Sequence, residues 1–449
     1  MQILPLIFHN KKNIIIDNIN HKMTKPNIAF IGLGAMGMGM ALHLLEDGFP
    51  VAGFDLNPKA LETLKSKGGS AATSPRECVQ DCEIVVGMVA NAKQTEAAFF
   101  TESTGAVWGL TSNATIILCS TFPPEFPAQV QTLLRTQFDK PDVSVIDCPV
   151  SGGTVRAAQG ALTILSSGAA TALERANPVL RSMSQHLYEI PGGLGWASKV
   201  KLINQQLAGI HIAVAAEAMG FAVTLGLNTK AVYEGVVGSA ANSWMFENRV
   251  PHMLADDWTP YSALDIFVKD MGIVTAEGHN HQFPLFLSSV VEQFYLLGAR
   301  MGYGKEDDSG LVRVFCPNGS VSASSENENA VYIQAIHELL EIVHTFAAVE
   351  ALALSQRIQL PLKELVSIIS TAAGSSESFK RVAANMLDGD ISTGAKIADS
   401  RAKLDNIVSL AKEFQYSLPL TGTVYQMYLQ AGHADSNEAA LLNLWPHHK

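Results

Sequence analysis

Lys201, Asn204 and Gln205 are the residues of this chain best placed to do chemistry. They lie in Gly195-Trp-Ala-Ser-Lys-Val-Lys-Leu-Ile-Asn-Gln-Gln, which opens a long apolar run reaching Leu225. Val200, Ile203, Leu207, Ile210 and Val214 recur at helical spacing and predict a stripe facing the core. Lys201, Asn204, Gln205 and Ala208 fall on another face, because residues three, four and seven apart stack on a helix. A cation beside two amides, among Ala, Ile, Val, Leu and Met, is costly to bury without a task. The plain alternative is that Lys201 lies near the helix start and reaches water with its amine.

A second constellation is Gly32-Leu33-Gly34-Ala35-Met36-Gly37. It follows a buried strand, Ile28-Ala-Phe-Ile, and leads into an amphipathic helix from Met38 to Glu46. Val51-Ala-Gly-Phe-Asp55 is then a strand ending in an acid. Strand, G-x-G-x-x-G, helix, strand and an acid about 20 residues on make up a dinucleotide-binding unit. Gly32 permits the tight turn, Gly34 lets backbone N–H groups approach a pyrophosphate, and Gly37 lets helix and strand pack closely. The helix N-terminus faces the phosphates. Asp55 can accept from a ribose 2′-OH but would repel a 2′-phosphate, and Leu56 and Asn57 follow where an NADP enzyme offers Arg. NAD is therefore expected over NADP.

Glu83-Ile-Val-Val-Gly-Met88-Val89 and Thr115-Ile-Ile-Leu-Cys-Ser120-Thr121 read as further buried strands ending in polar turns. Ligands of open α/β sheets sit at such carboxyl ends, so Met88, Val89, Asn91 and Thr121 are candidate cofactor contacts. Plain turn chemistry is the alternative for each. Val143-Ser-Val-Ile-Asp147 precedes Cys148-Pro-Val-Ser151-Gly152-Gly153. The hydroxyl and N–H groups of that turn form a small nest suited to a carboxylate, or simply a structural turn.

The elements that must position these groups are an α/β, Rossmann-type domain and the helices that follow it. A chain of 449 residues is too long for one core, so two or three domains are expected. With a net charge of −11 it lacks the basic balance of a nucleic-acid surface. Five cysteines without a C-x-x-C pair read as reduced, mostly buried thiols, and no metal site is expected. No uninterrupted apolar run predicts a membrane span, since the run after Lys201 carries His211 and Glu217. Residues 1–25 read as an N-terminal extension. Its first 23 residues lack arginine and carry Asp17, which makes a poor mitochondrial presequence. A cytoplasmic protein is expected, with a mitochondrial one as the alternative and Met23 as an alternative start.

With these pieces in order, the chain resembles the β-hydroxyacid dehydrogenases, the family of 3-hydroxyisobutyrate, tartronate semialdehyde and threonate dehydrogenases. Four blocks carry the resemblance in the family's order: Gly32 to Gly37, Asp147 to Gly153, Lys201-Leu-Ile-Asn204-Gln205, and Phe267-Val-Lys269-Asp270. They cover roughly residues 26–310. The run from Gln205 to Ala218 is similar to the threonate branch. The resemblance implies a reversible hydride transfer between NAD and a short hydroxy acid. It makes Lys201 the acid–base group and gives Asn204 or Gln205 the substrate hydroxyls. Ser151, Gly152 and Gly153 would take the substrate carboxylate, and Lys269 would close over substrate or nicotinamide. The physics is consistent, because a lysine can accept the alcohol proton once desolvation and a nearby cation lower its pKa. In the related phosphogluconate dehydrogenases an acid serving decarboxylation lies two turns after the lysine. Here Ala208 stands there, so oxidation without decarboxylation is expected. Only Gly195 and then Ala197 remain of the family's Gly-x-Gly before the lysine. A non-catalytic NAD(H) sensor and an imine-reducing enzyme are the alternatives on the same fold, and Lys201 speaks against both.

The last third repeats the helical part with a period of about 130 residues, the mark of a duplicated domain. Ile342 to Ala351 copies Gly209 to Ala218, and Asn385-Met-Leu387 mirrors Pro251 to Leu254. Leu418-Pro-Leu420 is matched to Phe283-Pro-Leu285, and Leu404-Asp405 to Lys269-Asp270. The copy lacks the chemistry, with Gln334 for Lys201, His337 for Asn204 and Glu338 for Gln205. The expected division is 26–195 as the NAD-binding domain, 196–310 as an all-α domain, 311–330 as a flexible linker and 331–449 as the second all-α copy. The second copy would stand in for the partner subunit of shorter relatives, leaving a monomer or a homodimer. Trp244 and Phe246 are candidate cleft residues, with core packing as the alternative.

Overall fold

Short apolar runs ending in turn residues build the first half of the computed structural model, which describes residues 25–316, 320–322, 325–388, 394–431 and 436–445. In chain order these are β1 (Ile28–Ile31), α1 (Ala35–Glu46), β2 (Val51–Phe54), α2 (Pro58–Ser66), β3 (Ser70–Ala71) and α3 (Pro75–Cys78). Next come β4 (Ile84–Gly87), α4 (Ala92–Phe100), β5 (Thr115–Leu118), α5 (Phe126–Thr136) and β6 (Ser144–Asp147). β1, β4 and β5 are buried at every position, as strands covered by helices on both faces must be. The six strands are parallel in the order β3-β2-β1-β4-β5-β6. The winding therefore reverses between β1 and β4, where such sheets open a crevice for ligands. β7 (Val150–Ser151), α6 (Gly153–Ala158), β8 (Leu162–Gly168), α7 (Ala170–Met183) and β9 (Ser184–Glu189) extend the sheet, β8 running antiparallel to β6. The expected N-terminal extension lies outside the described residues, apart from Lys25.

The second half is helical. α8 (Trp196–Thr224), α9 (Thr229–Val236), α10 (Trp244–Ala255), α11 (Leu264–Asn280), α12 (Phe286–Gly298) and the short α13 (Val312–Phe315) come first. α14 (Ala330–Arg357), α15 (Leu362–Ile369), α16 (Glu377–Leu387), α17 (Ile397–Glu413) and α18 (Pro419–Gln430) repeat the first five. α9 and α15, α10 and α16, α11 and α17, and α12 and α18 each start 133 residues apart. That register corrects two of the matches made from sequence. Ala402 and Lys403, not Leu404 and Asp405, stand where Lys269 and Asp270 stood. Leu418-Pro-Leu420 corresponds to Leu285-Phe-Leu287. Short look-alike words had pulled both alignments two residues out, whereas helix starts are fixed by hydrogen bonding.

α8 and α14 cross at the centre of one apolar core shared by both copies. α8 is buried all round, not on one stripe, because it is wrapped by its own copy, by the sheet domain and by α14. It is long and apolar enough to cross a membrane, but 89% of its most apolar window is buried inside the protein. The copies exchange carboxylates across their seam. Glu217 on α8 accepts from Leu420 N, Thr421 N and Thr421 Oγ1 at the start of α18. Glu350 on α14 accepts from Leu287 N, Ser288 N and Ser288 Oγ at the start of α12. Each carboxylate satisfies orphan N–H groups at a helix start of the other copy. Between them His211 and His344 meet edge to face, ring centroids 4.5 Å apart.

The join between copies is pinned where it is described, contrary to the flexible linker expected from its Ser/Asn/Glu composition. Val321 is buried and its carbonyl accepts from Thr229 Oγ1, while Asn327 O accepts from Asn228 N. Polar side chains that suit a free linker here serve as local hydrogen-bonding groups instead.

Candidate active site

The site begins with the way α8 is anchored. Gly195 has φ +87°, and a Cβ there would lie 2.0 Å from Pro124 O, so this turn requires glycine. Asp147, at the end of β6, accepts from Ser198 N and Ser198 Oγ at 2.8 Å each. Ser167 Oγ on β8 accepts from Ala197 N at 3.0 Å. These bonds cap the helix start, and Ala197, where the family has glycine, fits without exposure. Burial pushes the Asp147 carboxyl up to about 6, against the pull of its hydrogen bonds.

One turn further on, Lys201 is 6% exposed, and its Nζ donates to Ser151 Oγ at 2.6 Å. The alternative that this lysine reaches water does not hold. Desolvation lowers its pKa to about 8; the Asp270 charge opposes the shift and the Lys269 charge adds to it. Lys269 Nζ lies 3.0 Å from Asp270 Oδ1 and donates to Thr121 O at 3.4 Å, so it bridges the helical half to the end of β5. Ser151 leads into Gly152 and Gly153, with φ +138° and +72°, and a Cβ on Gly153 would meet no atom within 4 Å. Asn204 and Gln205 are buried and engaged with protein. Asn204 Nδ2 donates to Gln205 Oε1 at 3.1 Å, and Gln205 Nε2 donates to Asp270 Oδ2 at 2.5 Å.

The dinucleotide fingerprint fits its group. A Cβ on Gly32 would lie 2.4 Å from Met88 O, and one on Gly37 2.0 Å from Gly32 O, so both positions are closed to side chains. A Cβ on Gly34 would meet nothing within 4 Å; Gly34 is the N-cap of α1, with no side-chain cap and no acid in the first turn. This leaves the N–H groups of that turn to a phosphate. Asp55 accepts from Leu33 N at 2.6 Å and Asn57 N at 2.8 Å, which holds its carboxylate beside the glycine turn at the end of β2. Leu33 itself is buried, while Ala35 is exposed and Met36 half-buried at the start of α1. Met88 and Val89 are half-buried just beyond β4, facing the same crevice end. Asn91 is used locally, its Oδ1 accepting from Gln94 N to cap α4. Of the two aromatic candidates, Phe246 is fully buried against Tyr233, whereas Trp244 is 43% exposed.

Asp147, Ser167, Ser198 and Asp270 act here without having been picked out as site residues. An acid closing a strand just before the Ser-Gly-Gly turn was the available signal for Asp147. Asp270 was visible only as a neighbour of Lys269. Four cysteines are buried, with burial pushing Cys78 and Cys119 up to about 12, and among the described residues no three His, Cys, Asp or Glu side chains gather as a metal site.

Comparison with known proteins agrees with this geometry. Residues 27–192 match the family described as the NAD-binding domain of 6-phosphogluconate dehydrogenase. The family described as NAD-binding of NADP-dependent 3-hydroxyisobutyrate dehydrogenase matches twice, at 195–315 and again at 330–445. An L-threonate dehydrogenase of Cupriavidus necator is 43% identical over 289 residues, 64% of this chain and 96% of that protein. The crystal structure of a 3-hydroxyisobutyrate dehydrogenase from Salmonella typhimurium superposes with a TM-score of 0.60 at 39% identity, covering 65% of this chain and all of that one. A Plasmodium falciparum 6-phosphogluconate dehydrogenase covers 91% of this chain and 93% of its own, with a TM-score of 0.63; at 12% identity the likeness is one of fold. The chain belongs to the β-hydroxyacid dehydrogenase family and is an NAD-dependent hydroxyacid dehydrogenase.

Proposed function

We propose that this dehydrogenase oxidises a short polyhydroxylated acid of the threonate kind, with Lys201 as the acid–base group and without decarboxylation. The observation that carries the reading is the Lys201 amine itself. It is buried, 2.6 Å from Ser151 Oγ, and poised near neutrality by desolvation. The near full-length likeness to L-threonate dehydrogenases supports the substrate class.

The Ser151–Gly153 turn holds the substrate carboxylate and brings the reacting hydroxyl to Lys201 Nζ. The residues that would hold NAD are Gly32 to Gly37, Asp55, Met88, Val89, Asn91 and Thr121; bound there, it would supply the acceptor for the hydride of the carbinol carbon. Neutral Lys201 accepts the hydroxyl proton as that carbon becomes a carbonyl, and in the reverse direction its ammonium returns the proton. Lys269 covers the reacting groups from α11 and adds positive charge that favours the neutral form of Lys201. Asn204 and Gln205 each keep a second amide hydrogen for substrate hydroxyls. Ala208, where decarboxylating relatives carry an acid, offers no second acid.

The test is NADH formation just above the Lys201 value of about 8, with 3-hydroxyisobutyrate, glycerate, L- and D-threonate and 3-hydroxypropionate. L-Threonate should be the best substrate, and Lys201→Ala should lose at least ~100-fold in kcat with NADH binding retained. A Lys201→Ala enzyme that turns over normally would sink the mechanism. A faster substrate in the panel would move the branch.

We also propose the division into residues 26–195, 196–310 and 331–449, with the last unit a built-in partner for the second. Sedimentation revealing a tight dimer through the outer face of α8 to α12 would overturn that role.

A further inference from the structure

The second helical copy has Gln334 where the first has Lys201 and carries no glycine fingerprint, yet one of its turns reaches the first copy's site. Between α15 and α16, Gly374 N donates to Asn204 Oδ1 at 3.0 Å. The approach is close: a Cβ on Gly374 would lie 2.9 Å from Asn204 O, and 3.1 Å from both Asn204 Oδ1 and Leu207 Cβ. The turn is also held rigidly. Ser375 Oγ donates to Ser370 O at 3.0 Å, Trp244 N donates to Ser375 O and Glu377 N to Asn242 O. Ser376 pairs with Ser243 in an antiparallel bridge, so the equivalent turns of the two copies clasp each other.

That N–H and the Asp270 carboxylate, which only accepts, fix the direction of a chain of amides from its two ends. With Asn204 Oδ1 committed to Gly374, its Nδ2 must face Gln205 Oε1, and Gln205 must then turn its own Nε2 towards Asp270. Asp270 is 1% exposed and its other oxygen lies 3.0 Å from Lys269 Nζ. If this donor is pulled away, Asn204 Oδ1 is left buried without its partner and the two amides are held from the Asp270 end alone. The equivalent turn of the first copy carries Ala241 in place of Gly374, facing a copy in which His337 replaces Asn204. The half of the clasp that reaches Lys201's helix carries glycine and the other half alanine.

We propose that Gly374, contributed by the degenerate copy, is a positioning residue whose N–H anchors the far end of the Asn204–Gln205–Asp270 relay beside Lys201. This rests on Lys201 being the acid–base group. The duplicated domain is then a working part of the active site as well as a structural partner.

The test uses the full-length enzyme with NAD and L-threonate, comparing Gly374→Ala, Gln205→Met, the double variant and Lys201→Ala. Gly374→Ala should lose ~10-fold in kcat with NADH affinity unchanged. The added Cβ pushes the turn off Asn204 and loosens the Gln205 bond to Asp270. The less screened carboxylate then holds Lys201 protonated to higher pH, so the midpoint of the kcat–pH profile should rise by about half a unit or more. Because the two positions act through one relay, the double variant should be little worse than the poorer single one. Wild-type kcat and midpoint in Gly374→Ala, or fully additive losses, would overturn the inference while leaving Lys201 in place. An active Lys201→Ala would overturn the underlying mechanism instead. Should Gly374→Ala not fold, Ser375→Ala, which frees the same turn from Ser370, takes its place. An upward midpoint shift then supports the inference and an unmoved midpoint overturns it.

Discussion

The two helical copies share a skeleton and differ in what they do with it. Their helix starts keep a constant spacing of 133 residues from α9 and α15 onward, and both repeat an isolated bridge, Ala263 to Asp307 and Lys396 to Asn437. At the seam the chemistry is the same on both sides, with Glu217 and Glu350 capping each other's copies and His211 against His344. One turn into α8 and α14 it diverges. Lys201 is buried against Ser151, whereas Gln334 is exposed and donates to Glu338 one turn on. The difference teaches that side chains serving packing and the lysine we propose for the chemistry need different surroundings. The seam residues need only each other. Lys201 needs the sheet domain beside it, and among the described residues that domain occurs once.

The largest effect that could break this comparison is catalytic. Lys201→Ala should abolish most turnover, while Gln334→Ala, at the equivalent position of α14, should stay within about twofold of wild type in kcat and KM. A Gln334 variant as damaged as the lysine variant would mean that both copies carry chemistry. At the seam, by contrast, the copies should respond alike. Glu217→Ala and Glu350→Ala each leave three buried donors without an acceptor, for a loss of about 3 kcal/mol in urea unfolding. A loss confined to one of them would show that the exchange is not a true pairing.

How much of this was legible beforehand follows the range of the interactions. The glycine fingerprint, Asp55, the Ser151 turn and Lys201 are local words, and each lands beside its expected partner element. Asp147 was readable as a strand end but not as the cap of α8, because Ser198 lies 51 residues away in sequence. The contact of Gly374 with Asn204 spans 170 residues, and nothing in the two local sequences announces it. Asn204 and Gln205 were expected to face substrate, and their bonds to Asp270 on α11 and to Gly374 of the second copy became visible only in the folded structure. The all-round burial of α8 also escaped periodicity, since its stripe of Lys, Asn and Gln faces protein and not water.

A smaller effect concerns acid. His211 and His344 are fully buried, and desolvation holds both pKa values below the ordinary value, that of His344 near 3. A histidine lowered in the folded state is charged first in the unfolded chain, so its stabilising contribution is present above about 6.5 and is lost as pH falls below it. His344 should cost about 2 kcal/mol between pH 6.5 and 5, and His211 acts in the same direction. Glu217, raised to about 7 by burial, works the other way and recovers stability as it is protonated. The measurement is therefore a difference. His344→Leu should flatten the fall in unfolding free energy from pH 7 to 5 relative to wild type, and an unchanged slope would remove the histidine pair from the account.

The smallest effect sharpens the seam further, because its symmetry is not complete. Thr421 Oγ1 and Ser288 Oγ play the same part, each donating to a buried glutamate at 2.6 Å. Ser288 Oγ also accepts from Gln206 Nε2 at 3.1 Å, and Gln206 is fully buried with its own oxygen unpartnered. In the second copy the position of Gln206 is taken by Leu339, which asks for no hydrogen bond. Thr421→Val should therefore cost about 1 kcal/mol, the worth of one donor to Glu217. Ser288→Ala should cost about half a kcal/mol more, because it leaves the Gln206 amide only its longer, 3.4 Å bond to Glu350 Oε2. Replacing Gln206 by leucine together with Ser288→Ala should bring the two sides level. If Ser288→Ala proves no worse than Thr421→Val, the buried amide contributes nothing to the seam and the two copies are energetically equivalent there.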